Sequence, residues 1–162
     1  MAPRVEISRD IAASPEAVYD AVADVTRMGE WSEECVACEW HDGVDGPAVG
    51  ATFDGHNRNG DKEWTSQGKV ITADRGREFA FECSMFDVHY ATWGYRIEPT
   101  ESGSRVTEWS DDLRPEFALE ITVRDAMIEV GDRTSGTLTR IAANGDEHDL
   151  AKLREFLLRV KQ

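Results

Sequence analysis

Between residues 35 and 111 the chain falls into six short runs: CVACEWH (35–41), GATFDGHNR (50–58), KEWTSQGKVITA (62–73), REFAFECSM (77–85), VHYATWGYRIE (88–98) and SRVTEWSD (104–111). The breaks between them are DGVDGP, NGD, DRG, a tight FD and PTESG, and each supplies Gly, Asp or Asn where the backbone must turn. Runs of this kind, joined by connections this short, predict an antiparallel meander. Residues 4–11 (RVEISRDI) alternate Val5 and Ile7 with Glu6 and Ser8, the period-2 signal of a half-buried strand, which makes seven. Of the 14 aromatic residues, twelve lie between Trp31 and Phe117. A segment that concentrates aromatics in short alternating runs forms a sheet with one well-packed face, and function is expected on that face.

The flanking segments have helical signals. Ser14-Pro15-Glu16 combines an N-cap serine, a proline tolerated at the first helical position and an acidic residue at the positive end of the helix dipole. Val18, Val22 and Val25 then lie on one face, and a second short helical piece holds Arg27, Met28 and Trp31. After Pro115 the spacing of Leu119, Val123, Met127, Val130, Leu138 and Ile141 predicts a helix over 116–143. At 1.5 Å per residue it would run about 40 Å, so a bend near Gly131 or Gly136 is expected. Asp146 can cap a last helix bearing Leu150, Leu153, Leu157 and Val160, which packs on the domain or on another subunit. The fold class expected is α+β, a seven-stranded antiparallel sheet curled around one long C-terminal helix, with two short helices after the first strand. Residues 1–145 form the domain and 146–162 a C-terminal helical extension of it.

Charge narrows the partners. With 18 basic and 32 acidic side chains the net charge is −14, and the basic residues are scattered. Such a surface repels phosphate backbones and anionic headgroups, so neither nucleic acid nor a membrane is an expected partner. No run reaches the roughly 20 apolar residues of a membrane span, and the N-terminal residues lack the apolar stretch of a signal peptide, so a cytoplasmic location is expected. No nucleophile elbow, phosphate loop or zinc-protease helix is present.

Four segments carry a family resemblance: Ala13 to Cys35 (ASPEAVYDAVADVTRMGEWSEEC), Glu39 to Gly60, Trp64 to Phe81, and Thr92 to Trp109 (TWGYRIEPTESGSRVTEW), with a weaker continuation from Arg133 to Ile141. In that order they resemble the helix-grip superfamily, also called SRPBCC or START-related, and within it the bacterial polyketide cyclase/dehydrase and lipid-transport group. The resemblance implies a deep hydrophobic cavity between sheet and C-terminal helix that takes a lipid, polyketide, steroid or other apolar molecule. It does not imply one chemistry, since the superfamily contains cyclases, hydrolases, carriers and receptors. The segment after Asn144 departs from the family pattern.

Strand parity selects the candidate site residues. The expected ligand-contacting set is Met28, Trp31, Phe53, Asn57, Trp64, Phe79, Phe81, Trp93, Tyr95, Val123 and Met127, with Val123 and Met127 on the lid helix. Trp31, Trp64 and Trp93 are equally well pocket walls or ordinary core. Asn57 shares parity with Phe53, so its amide either faces the cavity or stabilises the turn at Asn59-Gly60. Val106 and Glu108 share a face, so Glu108 either stands in the cavity, where its pKa would rise and it could donate a proton, or pairs with Arg96. In HYATWGYR either His89, Trp93, Tyr95 and Ile97 face inward or Tyr90 and Arg96 do; the first buries more apolar surface, and a bulge would reverse it. Glu108, Arg96 and His89 are thus the candidate acid/base groups. Cys35-x-x-Cys38-x-x-His41, with Cys83, invites a zinc reading. Strict alternation, however, turns residues 35 and 38 to opposite faces, and the expectation is three unbridged thiols, no metal and no cofactor.

Three functions are compatible with this pattern. The first is a carrier or sequestering protein for a neutral hydrophobic small molecule. The second is a polyketide cyclase/aromatase-type enzyme that positions a chain and moves protons through Glu108, Arg96 or His89. The third is an interaction module without catalytic activity that forms a homodimer through the C-terminal extension.

Overall fold

Alternation of inward and outward side chains forms the first strand, β1 (Val5–Ile11), and the Ser14 hydroxyl oxygen then accepts the Ala17 N–H at 3.2 Å to start α1 (Pro15–Ala23). This is a computed structural model and describes residues 4–32 and 35–113. Asp24 caps the 3₁₀ helix Val25–Glu30 in the same way, its carboxylate accepting from the Thr26 N–H. Val18, Val22 and Val25 are all fully buried, so the valine stripe turns the two helical pieces onto the sheet. Six strands complete the sheet: β2 (Cys35–Trp40), β3 (Thr52–Asn59), β4 (Lys62–Asp74), β5 (Glu78–Met85), β6 (Val88–Thr100) and β7 (Gly103–Asp112). Every predicted run is a strand, and all neighbours pair antiparallel in the order β1-β7-β6-β5-β4-β3-β2.

The turns use the expected chemistry with one exception. Gly60 and Gly76 take positive φ at the β3–β4 and β4–β5 hairpins, whereas the two-residue turn between β5 and β6 puts Phe86 at φ 51° and Asp87 at φ 62°. A left-handed pair at a two-residue hairpin matches the twist of the flanking strands, and it is unusual for so bulky a residue as phenylalanine.

One face of the sheet carries the core. Tyr19 of α1 meets Phe79 edge to face at 6.3 Å, which places α1 over the face that bears Phe79, Phe81, Val70, Tyr95, Ile97 and Val106. Phe53 lies on the same face, and its ring covers Gly68, where a Cβ would sit 2.1 Å from Phe53 Cζ. The outer face is a ladder of polar pairs: the Ser8 and Thr107 hydroxyls at 2.7 Å, Arg96 with Glu6 at 3.6 Å, and Arg105 with Asp10 at 3.3 Å. Arg4 stacks 4.0 Å over the Trp109 ring and pairs with Asp111 at 2.8 Å.

Three β-bulges, at Val36 in β2, Ile71 in β4 and Tyr90 in β6, each insert one unpaired residue and reverse the strand's parity beyond it. The predicted helix over 116–143 with Val123 and Met127, the extension 146–162 and its dimer contact all lie outside the described residues.

Candidate functional site

Cross-strand pairing assigns each candidate to a face, because directly opposed residues in an antiparallel pair share one. Tyr95 opposes Phe79 on one side and Glu108 on the other, so the three stand in a row on the inner face. Trp93 opposes Phe81 and Ser110 on that face too, and packs against the core. Trp31, at the end of the 3₁₀ helix, meets Tyr95 edge to face with ring centroids 5.8 Å apart, and Met28 is buried beside it in the same core. The result is an aromatic wall, Phe53 against Phe81 at 5.3 Å and Phe81 against Phe79 at 5.8 Å, that ends in a carboxylate.

That carboxylate is the most informative group in the structure. Glu108 is 2% exposed, and the Tyr95 hydroxyl, itself on a residue 3% exposed, donates to its Oε1 at 3.0 Å. Burying a carboxyl group among aromatic rings is costly unless hydrogen bonds compensate, and the tyrosine supplies one. A polar pair held this way can orient a hydroxyl or carbonyl of an incoming molecule or pass a proton to it. Close by in the same core, the Trp31 indole Nε1–H is buried with no acceptor among the described residues.

The alternatives open at the level of sequence are resolved by position. Arg96 opposes Thr107 on the outer face and pairs with Glu6, so it does not neutralise Glu108. The bulge at Tyr90 separates His89 from the inward parity of Trp93, Tyr95 and Ile97. His89 Nε2 lies 3.0 Å from the Ala91 carbonyl and 3.1 Å from the outward Thr92 hydroxyl, while Tyr90 packs against the core. The first of the two expected parities for HYATWGYR therefore holds from Ala91 onward, with Trp93, Tyr95 and Ile97 inward and Arg96 outward, and fails at His89, where the bulge turns Tyr90 to the core instead. The structure brings Glu108 to the aromatic wall and leaves His89 and Arg96 on the other side of the sheet.

Asn57 is inward, and its amide donates to the Gly55 carbonyl at 3.1 Å and the Ser66 hydroxyl at 3.2 Å, bracing β3 against β4. Trp64 opposes Asn57 at the same end and is half-buried. Among the inward polar residues that were missed is Arg9, which opposes Val106 on β1 and whose guanidinium donates to the Ser8 carbonyl at 2.9 Å. Unbroken alternation from Ile7 through Arg9 to Ile11 carried that signal.

The cysteine geometry also needs correction. The bulge at Val36 restores Cys35 and Cys38 to the same face, and their Sγ atoms are 3.1 Å apart rather than on opposite sides. None of the three cysteines is bridged. His41 is not with them: its Nδ1 lies 2.7 Å from the Thr52 hydroxyl and its Nε2 2.8 Å from an Asp54 carboxylate oxygen. No cluster of three His, Cys, Asp or Glu side chains among the described residues has metal-binding geometry. The hydrogen bond that the Cys38 thiol donates to the Cys35 sulfur, with burial, holds Cys38 far above its ordinary range. Burial, aided by the nearby Cys35, pushes Cys83 up to about 12 against an opposing hydrogen bond from Tyr90.

Comparison with known proteins agrees with this architecture. The sequence model of the family described as polyketide cyclase / dehydrase and lipid transport matches residues 2–144. No curated protein matches. Among solved structures, the solution NMR structure of a Polyketide_cyc-like protein from Corynebacterium glutamicum is 31% identical, with 97% of this chain and 93% of that chain covered and a TM-score of 0.60. A crystal structure of a Chromobacterium violaceum protein is similar in fold at 15% identity, with 96% and 98% covered and a TM-score of 0.68. The di-domain ARO/CYC StfQ from the steffimycin biosynthetic pathway reaches a TM-score of 0.73 at 14% identity, with 98% of this chain covering 51% of that one. This chain thus spans about half of that two-domain protein.

Proposed function

Because the chain belongs to the polyketide cyclase/dehydrase and lipid-transport family, we propose that it binds a neutral hydrophobic small molecule, lipid- or polyketide-like, against the inner face of the sheet, as a carrier or sequestering protein. The observation that carries this reading is the buried Tyr95–Glu108 hydrogen bond at the end of the aromatic wall. Trp31, Phe53, Phe79 and Phe81 offer apolar contact, and the Tyr95–Glu108 pair offers one polar anchor for a ligand hydroxyl or carbonyl. The net charge of −14 disfavours an anionic cargo on approach. No helix among the described residues is long and apolar enough to cross a membrane.

Of the three candidate acid/base groups, Glu108 alone stands on this wall; His89 and Arg96 are turned away. That arrangement favours binding over proton-shuttling catalysis, while family membership keeps a cyclase as the competing reading. Native mass spectrometry of freshly purified protein, with organic extraction and identification of any released molecule, tests the first. Binding of a neutral dye such as Nile red, and its displacement by hydroxylated and deoxygenated versions of one polycyclic aromatic, tests the anchor. Tyr95→Phe is expected to erase most of the preference for the hydroxylated compound while leaving dye affinity within about threefold, since a hydrogen bond is worth about 0.5–1.5 kcal/mol net. No adduct and no dye binding would overturn the proposal, and turnover of a linear polyketide surrogate abolished by Glu108→Gln would favour the cyclase.

A further inference from the structure

The cysteines have no part in the binding site proposed above, yet two of them stand in direct contact with each other. Cys35 and Cys38 are 7% and 8% exposed, with sulfurs 3.1 Å apart. A disulfide bond is about 2.05 Å long, so the sulfurs need to approach by only about 1 Å. The pair exists because Val36 is bulged out of β2; a regular strand would hold the two side chains on opposite faces. Cys83 lies near the pair but is not in it: it is on β5, with β3 and β4 between it and β2 in the sheet, and its thiol is hydrogen-bonded with Tyr90.

We infer that Cys35 and Cys38 are a vicinal dithiol that a small neutral peroxide converts to an intramolecular disulfide, leaving Cys83 reduced. One sulfur of the pair, as thiolate, attacks a peroxide oxygen; the O–O bond breaks, a sulfenic acid forms, and the departing hydroxide takes up a proton. The second sulfur attacks the sulfenic sulfur, the S–S bond forms and water leaves. Two thiols lose two electrons and two protons, and hydrogen peroxide becomes two waters. Burial and the acidic shell select the oxidant: a small uncharged peroxide reaches the pair, whereas anionic glutathione disulfide is repelled and too large. The high pKa of the Cys38 thiol makes the closure slow at neutral pH and faster as pH rises.

Closure acts on a structural joint. The carbonyl of the bulged Val36 packs on Gly29, where a Cβ would sit 2.2 Å from the oxygen. The bulge is therefore the seat of the 3₁₀ helix that carries Met28, with Trp31 at its end. A bridge from residue 35 to 38 clamps that seat and so reaches the aromatic wall through Trp31.

The experiment treats the full native chain with hydrogen peroxide, quenches it, unfolds it and alkylates the remaining thiols. The expected result is loss of two of the three alkylatable thiols, a mass lower by two hydrogens, a peptide linked through Cys35 and Cys38, reversal by dithiothreitol and a rate that rises with pH. Cys83→Ser should form the same bridge, and Cys38→Ser should stop at a sulfenic acid that dimedone traps on Cys35. Three thiols surviving a dose that oxidises the urea-unfolded chain would overturn the inference. So would a bridge containing Cys83, or sulfinic acid in place of the bridge in the wild-type peptide map, a result that needs no variant to fold.

Discussion

Replacing Tyr95 by Phe removes one oxygen atom from a position where water cannot easily take its place. The hydroxyl donates to Glu108 Oε1 at 3.0 Å, and both residues are at most 3% exposed. Taking this donor from a buried carboxyl oxygen costs about 1–3 kcal/mol, because water does not replace the bond that is lost. For a chain of this length that is a fall of about 2–4 °C in Tm for each kcal/mol. The ring remains, so its contact with Trp31 is retained and the loss isolates the hydrogen bond. Urea unfolding of the wild type, Tyr95→Phe, Glu108→Met and the double variant measures the coupling directly, with an interaction energy of about 0.5–3 kcal/mol expected for residues in contact. Tyr90→Phe is the control, since its hydroxyl is hydrogen-bonded with Cys83; its effect should add to that of Glu108→Met. A coupling below about 0.3 kcal/mol, the scatter expected of independent sites, would refute the buried pair as the polar anchor of the inner face.

Other outcomes rest on the same structure. Phe79→Ala, at a fully buried ring touching Tyr19 and Phe81, should cost about 3–5 kcal/mol in urea unfolding. Phe86→Asn should stabilise the protein by about 0.5–1 kcal/mol, read as a raised Tm, because asparagine tolerates the φ of 51° and the phenyl ring there is 85% exposed. The Arg4 guanidinium beside Asp111 holds that carboxyl below the usual range. A depressed folded pKa adds stability that is present above the unfolded value near pH 4 and is lost as pH falls through the folded value. Asp111→Asn should therefore cost less than about 1 kcal/mol at neutral pH, given that the pair is partly exposed, and the gap to wild type should close in acid unfolding curves. Cys83, with its thiol pushed up to about 12, should resist iodoacetamide at pH 8 in the folded protein and react on unfolding, as read by peptide mass.

The sequence by itself determined the elements, and it did so where the signal is local. Ser14-Pro15-Glu16 marked the start of α1, the valines marked its buried face, and the Gly-Asp-Asn breaks bounded every strand to within a few residues, because capping, turn conformation and side-chain periodicity are set by neighbours along the chain. It also placed Glu108 on the face of Val106, since β7 alternates without interruption. Only the tertiary structure decided which groups meet. The bulges at Val36, Ile71 and Tyr90 depend on how a strand's register accommodates its neighbour, and nothing in the period of CVACEWH or VHYATWGYRIE announces the extra residue. One inserted residue turned His89 away from the aromatic wall and Tyr90 toward it, and another brought two sulfurs from opposite faces to 3.1 Å. Likewise the hydroxyl of Tyr95 found Glu108 only through the pairing of β6 with β7, a contact between residues thirteen positions apart that hydrogen-bond register, not sequence spacing, creates.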